Sequence, residues 1–168
     1  MTSFLDWLVE TPLAVFMQTF PLAFALVEVV HVIAVVLVFG MIAVVDLRLL
    51  GLAGRSRPYA ALAKESLRWV WGAFVVAVAS GLMMFISQAP VYMQNGHFLT
   101  KMVFIALAGI NMLVMEFVTS KNSGEWPAAA GGIPGAARVA GALSLGFWTM
   151  VVVQGRWIGF TMFSMPSF

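Results

Sequence analysis

The chain has 168 residues, of which 62% are hydrophobic and only 10% are charged, and its formal net charge is +2. Soluble domains carry about 25% charged residues, so the composition excludes an ordinary soluble domain and indicates an integral membrane protein in a lipid bilayer. The absence of cysteine excludes disulfides, thiolate metal sites and iron–sulfur clusters.

Residues 1–20 precede the first long apolar run and predict a short segment at the membrane interface. Thr11 followed by Pro12 is typical of an N-cap with proline at the first helical position. Before this cap, large apolar residues are set against acidic ones, which predicts an amphipathic piece lying on the membrane surface. The apolar set is Phe4, Leu5, Trp7 and Leu8, and the acidic set is Asp6 and Glu10.

Four apolar segments are long enough to cross a bilayer, since a spanning helix needs about 20 mostly apolar residues. They cover residues 21–45, 69–86, 98–118 and 139–158. The sequence therefore predicts an all-α fold, an antiparallel bundle of four transmembrane helices preceded by the interfacial segment. No internal repeat and no long linker divides the chain, so residues 1–168 are expected to form a single membrane domain.

The basic residues predict the orientation of the bundle. Seven of the nine lysines and arginines fall between spans one and two or between spans three and four: Arg48, Arg55, Arg57, Lys64, Arg68, Lys121 and Arg138. Basic loops stay on the cytoplasmic side of a membrane. We therefore expect a multi-pass protein of the bacterial inner membrane with both termini outside, on the periplasmic side.

Five polar residues of the spans are expected at similar depth, in the half of the bilayer nearer the outside. At about 1.5 Å of rise per residue, Lys101 and His97 reach the level of His31 and Glu28, and Arg156 enters the same layer. Ionisable residues in a bilayer are costly and mark functional sites by default. The alternative is structural: Glu28 pairs with Lys101 or Arg156, and the ion pair ties helices together.

His31 is the candidate metal ligand, because a neutral imidazole in a helical bundle is a common axial ligand of haem iron. His97 and His31 lie at different depths, so a haem held by both histidines would be strongly tilted. A b-type haem is therefore expected on His31 alone or with a sixth ligand that is not histidine. Lys101 and Arg156 suit haem propionates or a quinone head group. The alternative for His31 is a hydrogen bond to a neighbouring helix.

Three stretches carry a resemblance to known membrane proteins: HVIAVVLVFG in the first helix, DLRLLG at its charged end, and HFLTKMVFIALAG at the start of the third helix. Together they resemble the four-helix HemJ and CopD-like group. HemJ proteins are oxygen-independent protoporphyrinogen oxidases that hold a haem, and their functional histidine and lysine correspond to His31 and Lys101. The whole chain also resembles short bacterial membrane proteins of unknown function.

Three functions remain open at this point. The first is a redox or electron-transfer subunit with haem b on His31 and a quinone or a periplasmic protein as its redox partner. In this case the chain would be an oxidoreductase or a subunit of one. The second is a cofactor-free anchor or assembly subunit, working with partner subunits or as a homo-oligomer. The third is a CopD-like cation transporter that uses Glu28, His31 and His97. No phosphate-binding loop and no basic patch is present, so neither nucleotide nor nucleic acid is expected.

Overall fold

The computed structural model describes residues 4–53, 58–119, 126 and 132–162. These residues form helices and contain no strand, which confirms the predicted all-α class. Arg55, Arg57 and Lys121 of the predicted basic loops lie outside the described residues. The helices are α1 (Phe4–Val9), α2 (Pro12–Thr19), α3 (Pro21–Leu49), α4 (Tyr59–Ser87), α5 (Ala89–Gln94), α6 (Gly96–Val114) and α7 (Gly135–Met162), and a π-helical turn, Met115–Thr119, continues α6.

Four of these helices are long and apolar enough to span a membrane, and three of them contain a predicted span. The third predicted span, 98–118, covers most of α6 and continues into the π-helical turn. In the most apolar stretch of α3 only 11% of residues are buried inside the protein. The other apolar residues of this stretch are exposed on the surface of the bundle, as is expected of a helix that faces lipid. Helix α4 starts at Tyr59 rather than at residue 69. Hydropathy identifies only the part of a helix that sits in lipid, whereas this helix continues through its polar first turns.

The N-terminal segment is fixed to the bundle by hydrogen bonds. The Thr11 hydroxyl accepts the backbone N–H of Ala14 at 3.4 Å, which confirms the predicted cap. The Gln18 side-chain amide donates to the backbone oxygen of Ser87 at 2.8 Å, where α4 ends and its last carbonyls lack helical partners. Ala14 and Met17 are buried. The segment therefore packs against α4.

The four spanning helices form two antiparallel pairs. Helix α3 packs along α4, α6 packs along α7, and the two pairs meet where α3 contacts α7. Within the described part of the chain, α4 and α6 do not pack extensively against each other. The half of the bundle that contains the start of α3 is the predicted outer half, and the half that contains its end is the predicted inner half.

The contact between α3 and α7 depends on a glycine. A Cβ atom placed on Gly141 would lie 3.0 Å from Cβ of Leu49 and 3.3 Å from the backbone oxygen of Asp46. Small residues let membrane helices approach closely. Nearby, the inner end holds the main cluster of buried apolar residues, which comprises Val45, Leu49, Tyr59, Ala63, Met115, Ile133, Ala137 and Ala140.

Replacing Gly141 by alanine should destabilise the bundle. The new methyl group would meet backbone and Cβ atoms that cannot move without shifting a helix, and overpacking of this kind costs about 1–3 kcal/mol.

Gly146, also on α7, would have no neighbour within 4 Å of an added Cβ atom, so Gly146→Ala is the matched control. It should gain up to about 1 kcal/mol from helix propensity. Thermal unfolding in detergent, followed by circular dichroism, should give Gly141→Ala the lower midpoint. Equal midpoints would mean that the α3–α7 contact tolerates a side chain.

Candidate functional site in the outer half

His31 is held by α4 through one ring nitrogen. Its Nδ1 lies 2.9 Å from the backbone oxygen of Ala77 and 3.1 Å from the hydroxyl oxygen of Ser80. The Ser80 hydroxyl donates its own hydrogen to a carbonyl of α4, that of Val76 at 2.6 Å. Both neighbours of Nδ1 are thus acceptors, so in the neutral ring Nδ1 carries the hydrogen and Nε2 keeps its lone pair.

Glycine on α4 makes room for the imidazole ring. A Cβ atom on Gly81 would lie 3.0 Å from Cε1 of His31 and 3.4 Å from Nδ1. Ala34 and Ala77 near this contact are also small and buried. The α3–α4 contact is therefore close at the level of His31, and the hydrogen bond to Ala77 fixes the orientation of the ring.

Lys101 reaches the same region from α6. Its amine packs over Gly155 of α7, with Nζ 3.4 Å from the position that a Cβ atom would take there. Lys101 is half-buried and acts electrostatically on His31. The structure thus brings together His31 and Lys101, two of the residues predicted from the sequence.

His97 has its own partners on α7. Its Nδ1 lies 2.6 Å from the side-chain oxygen of Gln154, and its ring stacks on Trp157 with centroids 5.9 Å apart. Asn95 starts α6: its side-chain oxygen accepts the backbone N–H of His97 at 2.9 Å, and its amide donates to Thr161 at 2.8 Å. His97 therefore joins α6 to α7 at the outer end of the bundle.

The remaining two predicted residues lie on the surface of the bundle. Glu28 is exposed on α3 and lines a shallow groove with apolar residues of its own helix. Arg156 is exposed on α7, with its guanidinium 4.6 Å from the ring centroid of Phe160. Among the described residues, neither an ion pair nor a hydrogen bond joins Glu28 to Lys101 or Arg156. The layer is thus divided into a buried part and an exposed part.

A multi-ligand metal site is not formed by the side chains of this layer. Within the described ranges, no three His, Asp or Glu residues are placed so that they could hold a metal ion together. Glu28, His31 and His97 therefore do not form the joint cation site that a CopD-like cation transporter would use. A haem differs in this respect, because the porphyrin itself supplies four ligands and one axial histidine suffices.

The sequence did not identify the buried polar residues of the described part of the chain, which are Asp46, Arg48, Ser66, Ser80, Ser87 and Asn95. Arg48, counted among the basic residues between the spans, is fully buried in α3. Asn95 is fully buried, and the preference of Asn for N-caps is the signal that could have found it. Asp46 is also buried, near the end of α3, although its position beside Arg48 suggested only a charged helix end. Asp46 lies far along α3 from His31 and belongs to the inner half.

The fold defines an integral membrane protein with a bundle of four spanning helices. Residues 2–161 match the model of a family of unknown function, DUF6644, and the chain belongs to this family. This confirms the predicted membership of a family of unknown function. The comparisons give no support to the resemblance to HemJ and CopD-like proteins. Comparison with curated proteins and with solved structures gave no match.

The phenol of Tyr92 offers a direct test of the outer half. Burial, and secondarily the negative charge of Glu28, raise the pKa of Tyr92 to about 12. The chain has two tyrosines, so Tyr59→Phe leaves Tyr92 as the only one, and an ultraviolet titration should show its midpoint near pH 12. Adding Glu28→Gln should lower the midpoint while leaving it above 10, because burial remains.

The sign of the effect on stability follows from the same shift. The pKa of Tyr92 is higher in the folded state than in the unfolded chain, so its contribution to stability is full below about pH 10 and is lost as the pH rises through about 12. A midpoint near 10 in the Tyr59→Phe variant would contradict the burial of the phenol. A midpoint that Glu28→Gln leaves unchanged would contradict its proximity to Glu28.

Proposed function

We propose that this protein is a membrane redox subunit that holds one b-type haem through Nε2 of His31. The observation that supports this most is the hydrogen bond between Nδ1 of His31 and the backbone oxygen of Ala77. Histidines that bind metals usually donate their other ring N–H to a carbonyl or carboxylate, which fixes the tautomer and makes the ligating nitrogen more basic. His31 has this arrangement, with Ser80 as a second acceptor.

One neighbouring side chain suits such a group. Lys101 places a positive charge within electrostatic range of His31, where it would pair with a propionate. A bound b-type haem would supply one-electron transfer to and from a quinone or a periplasmic redox partner. The contribution of the chain is to orient the imidazole through Ala77 and Ser80, to provide the cation, and to keep the layer dry with lipid-facing apolar residues.

A second candidate function is a cofactor-free anchor or assembly subunit, and one observation favours it. Glu28 lies exposed on an apolar face of α3, where lipid would surround a carboxylate at considerable cost. A partner subunit or a second copy of the chain that covered this face with a cationic or hydrogen-bonding group would remove that cost. In this case the hydrogen bond of His31 would serve only to join α3 to α4.

Visible spectra separate the two candidates. Full-length protein purified in mild detergent from cells supplied with haem should show a b-type band in the reduced-minus-oxidised spectrum. The band should be lost in His31→Ala, because the axial ligand is gone. His97→Ala is the matched control and should keep the band, since the ring of His97 is held by Gln154 and Trp157.

Imidazole rescue distinguishes ligation from a structural role. If His31→Ala loses the band only through loss of the axial ligand, added imidazole should restore it, whereas a merely unstable variant would not recover. A colourless wild-type preparation, or a band that His31→Ala leaves unchanged, would overturn the haem proposal. The colourless result would favour the anchor or assembly subunit.

We also propose that the protein resides in the bacterial inner membrane with both termini on the periplasmic side. Because the chain lacks cysteine, single cysteines can report which positions are accessible. Glu10 and Ala53 are both exposed, at opposite ends of the spanning helices. In intact spheroplasts, a membrane-impermeant maleimide should label Glu10→Cys, and it should label Ala53→Cys only after permeabilisation. The reverse pattern would invert the proposed orientation.

A further inference from the structure

The inner half of the bundle contains a cavity that is separate from the His31 layer. Its volume is about 340 Å³, and it is lined by all four spanning helices. Cavities of about 300–1,000 Å³ are the usual size of small-molecule sites in proteins. Most of the lining is apolar or aromatic, and a few polar side chains are placed among these residues, as such sites require.

Asp46 is a buried polar residue of the cavity lining that has a free hydrogen-bond acceptor. It lines the cavity, only 5% of its surface is exposed, and it receives a hydrogen bond from Ser144 of α7. One of its oxygens, Oδ2, is buried and has no hydrogen-bond partner among the described residues. A buried polar atom without a partner is costly. The carboxylate therefore presents an unused acceptor in a cavity large enough for a ligand.

The rest of the lining indicates the charge of that ligand. Of the described residues that line the cavity, Asp46 and Glu116 are acidic, and none is lysine, arginine or histidine. Trp71, Phe74 and Trp148 contribute aromatic rings, whose faces attract cations. Carboxylates and aromatic faces together favour a positively charged group that also donates hydrogen bonds, attached to an apolar body.

The cavity is accessible from the side of the bundle. Two of the helices that line it, α4 and α6, do not pack extensively against each other within the described residues. Trp71 of α4 and Leu113 of α6 both line the cavity and are more than half exposed, at 51% and 56%. Toward the outer half, the gap is closed by Phe85 of α4 stacked on Phe98 of α6, with centroids 5.5 Å apart. The opening therefore faces lipid.

We propose that this cavity binds a small lipophilic amine, which enters from the bilayer between α4 and α6 and donates a hydrogen bond from its ammonium group to Oδ2 of Asp46. The apolar body of the amine lies against the aromatic residues of the lining. This site is independent of haem binding, because it shares no residue with the His31 layer.

Three ligands with the same apolar body test the required charge. Adamantylmethylamine, adamantanemethanol and adamantanecarboxylate differ in their head groups, and isothermal titration calorimetry of the full chain in detergent measures the binding of each. The amine should bind saturably, the alcohol about tenfold more weakly or worse, and the carboxylate not at all. Equal binding of amine and alcohol would overturn the proposal, as would the absence of saturable amine binding.

Asp46→Asn tests the residue, since it keeps the shape and removes the charge. It should weaken amine binding by about tenfold or more. Glu10→Gln makes the same charge change on the exposed surface and Glu28→Gln makes it in the outer layer, so both should bind the amine like the wild type. Unchanged amine binding in Asp46→Asn would overturn the role of this carboxylate.

A second variant keeps the test informative if Asp46→Asn fails to fold. Gly109 lines the cavity, and a Cβ atom on it has no neighbour within 4 Å, so Gly109→Leu introduces a side chain there whose first atom meets no clash. It should abolish amine binding. Gly40→Leu is the matched control, because Gly40 also has open space but does not line the cavity. If Gly109→Leu bound the amine as tightly as Gly40→Leu, the site would not be in this cavity.

Discussion

Lipid offers no hydrogen bonds, so the backbone of a spanning helix is satisfied within the helix, and a polar side chain facing the bundle is stabilised by a partner inside the protein. Helix α3 shows how this requirement organises the bundle. In its outer half, His31 bonds to Ala77 and Ser80 of α4, and near its inner end Asp46 bonds to Ser144 of α7. One helix is thus attached by polar contacts to two different neighbours at two depths. The hydrophobic effect between helices is weak in a bilayer, so such contacts and close packing supply the specificity of assembly.

Glycine serves the same organisation by leaving space at the points where helices meet. Gly81 lies against the ring of His31, Gly141 lies against Leu49, and Gly155 lies beneath the amine of Lys101. Each of these glycines receives a side chain from another helix. The polar contacts could not form at their observed distances if larger residues separated the helix axes. The positions of His31 and Lys101 therefore depend on Gly81 and Gly155, which have no side chain and so leave room for them.

The sequence was a good guide to the elements and a partial guide to the site. Apolar runs predicted the four spans, because hydropathy records directly which solvent a helix meets. Depth along the helices also brought His31 and Lys101 to one region. Rotation about the helix axis was not readable for α3, because this helix is apolar on almost every face, so the sequence did not show that Glu28 is exposed. Arg156 of α7 is also exposed rather than paired. Asp46 was missed for a related reason: only the packing of α7 against the end of α3 reveals that it is buried.

The two helix pairs meet along a single seam, where α3 contacts α7. Toward the outer half, α4 and α6 are held together by the Phe85–Phe98 stack and by the short helix α5, so they lie apart only in the inner half. A small rotation of one pair about the α3–α7 contact would change the separation of α4 and α6 in the inner half while it preserved the contacts within each pair. Such a rotation alters the cross-sectional area of the inner half, so the bilayer's lateral pressure acts directly on this coordinate. The thickness and composition of the surrounding lipid thereby become part of what sets the width of the opening.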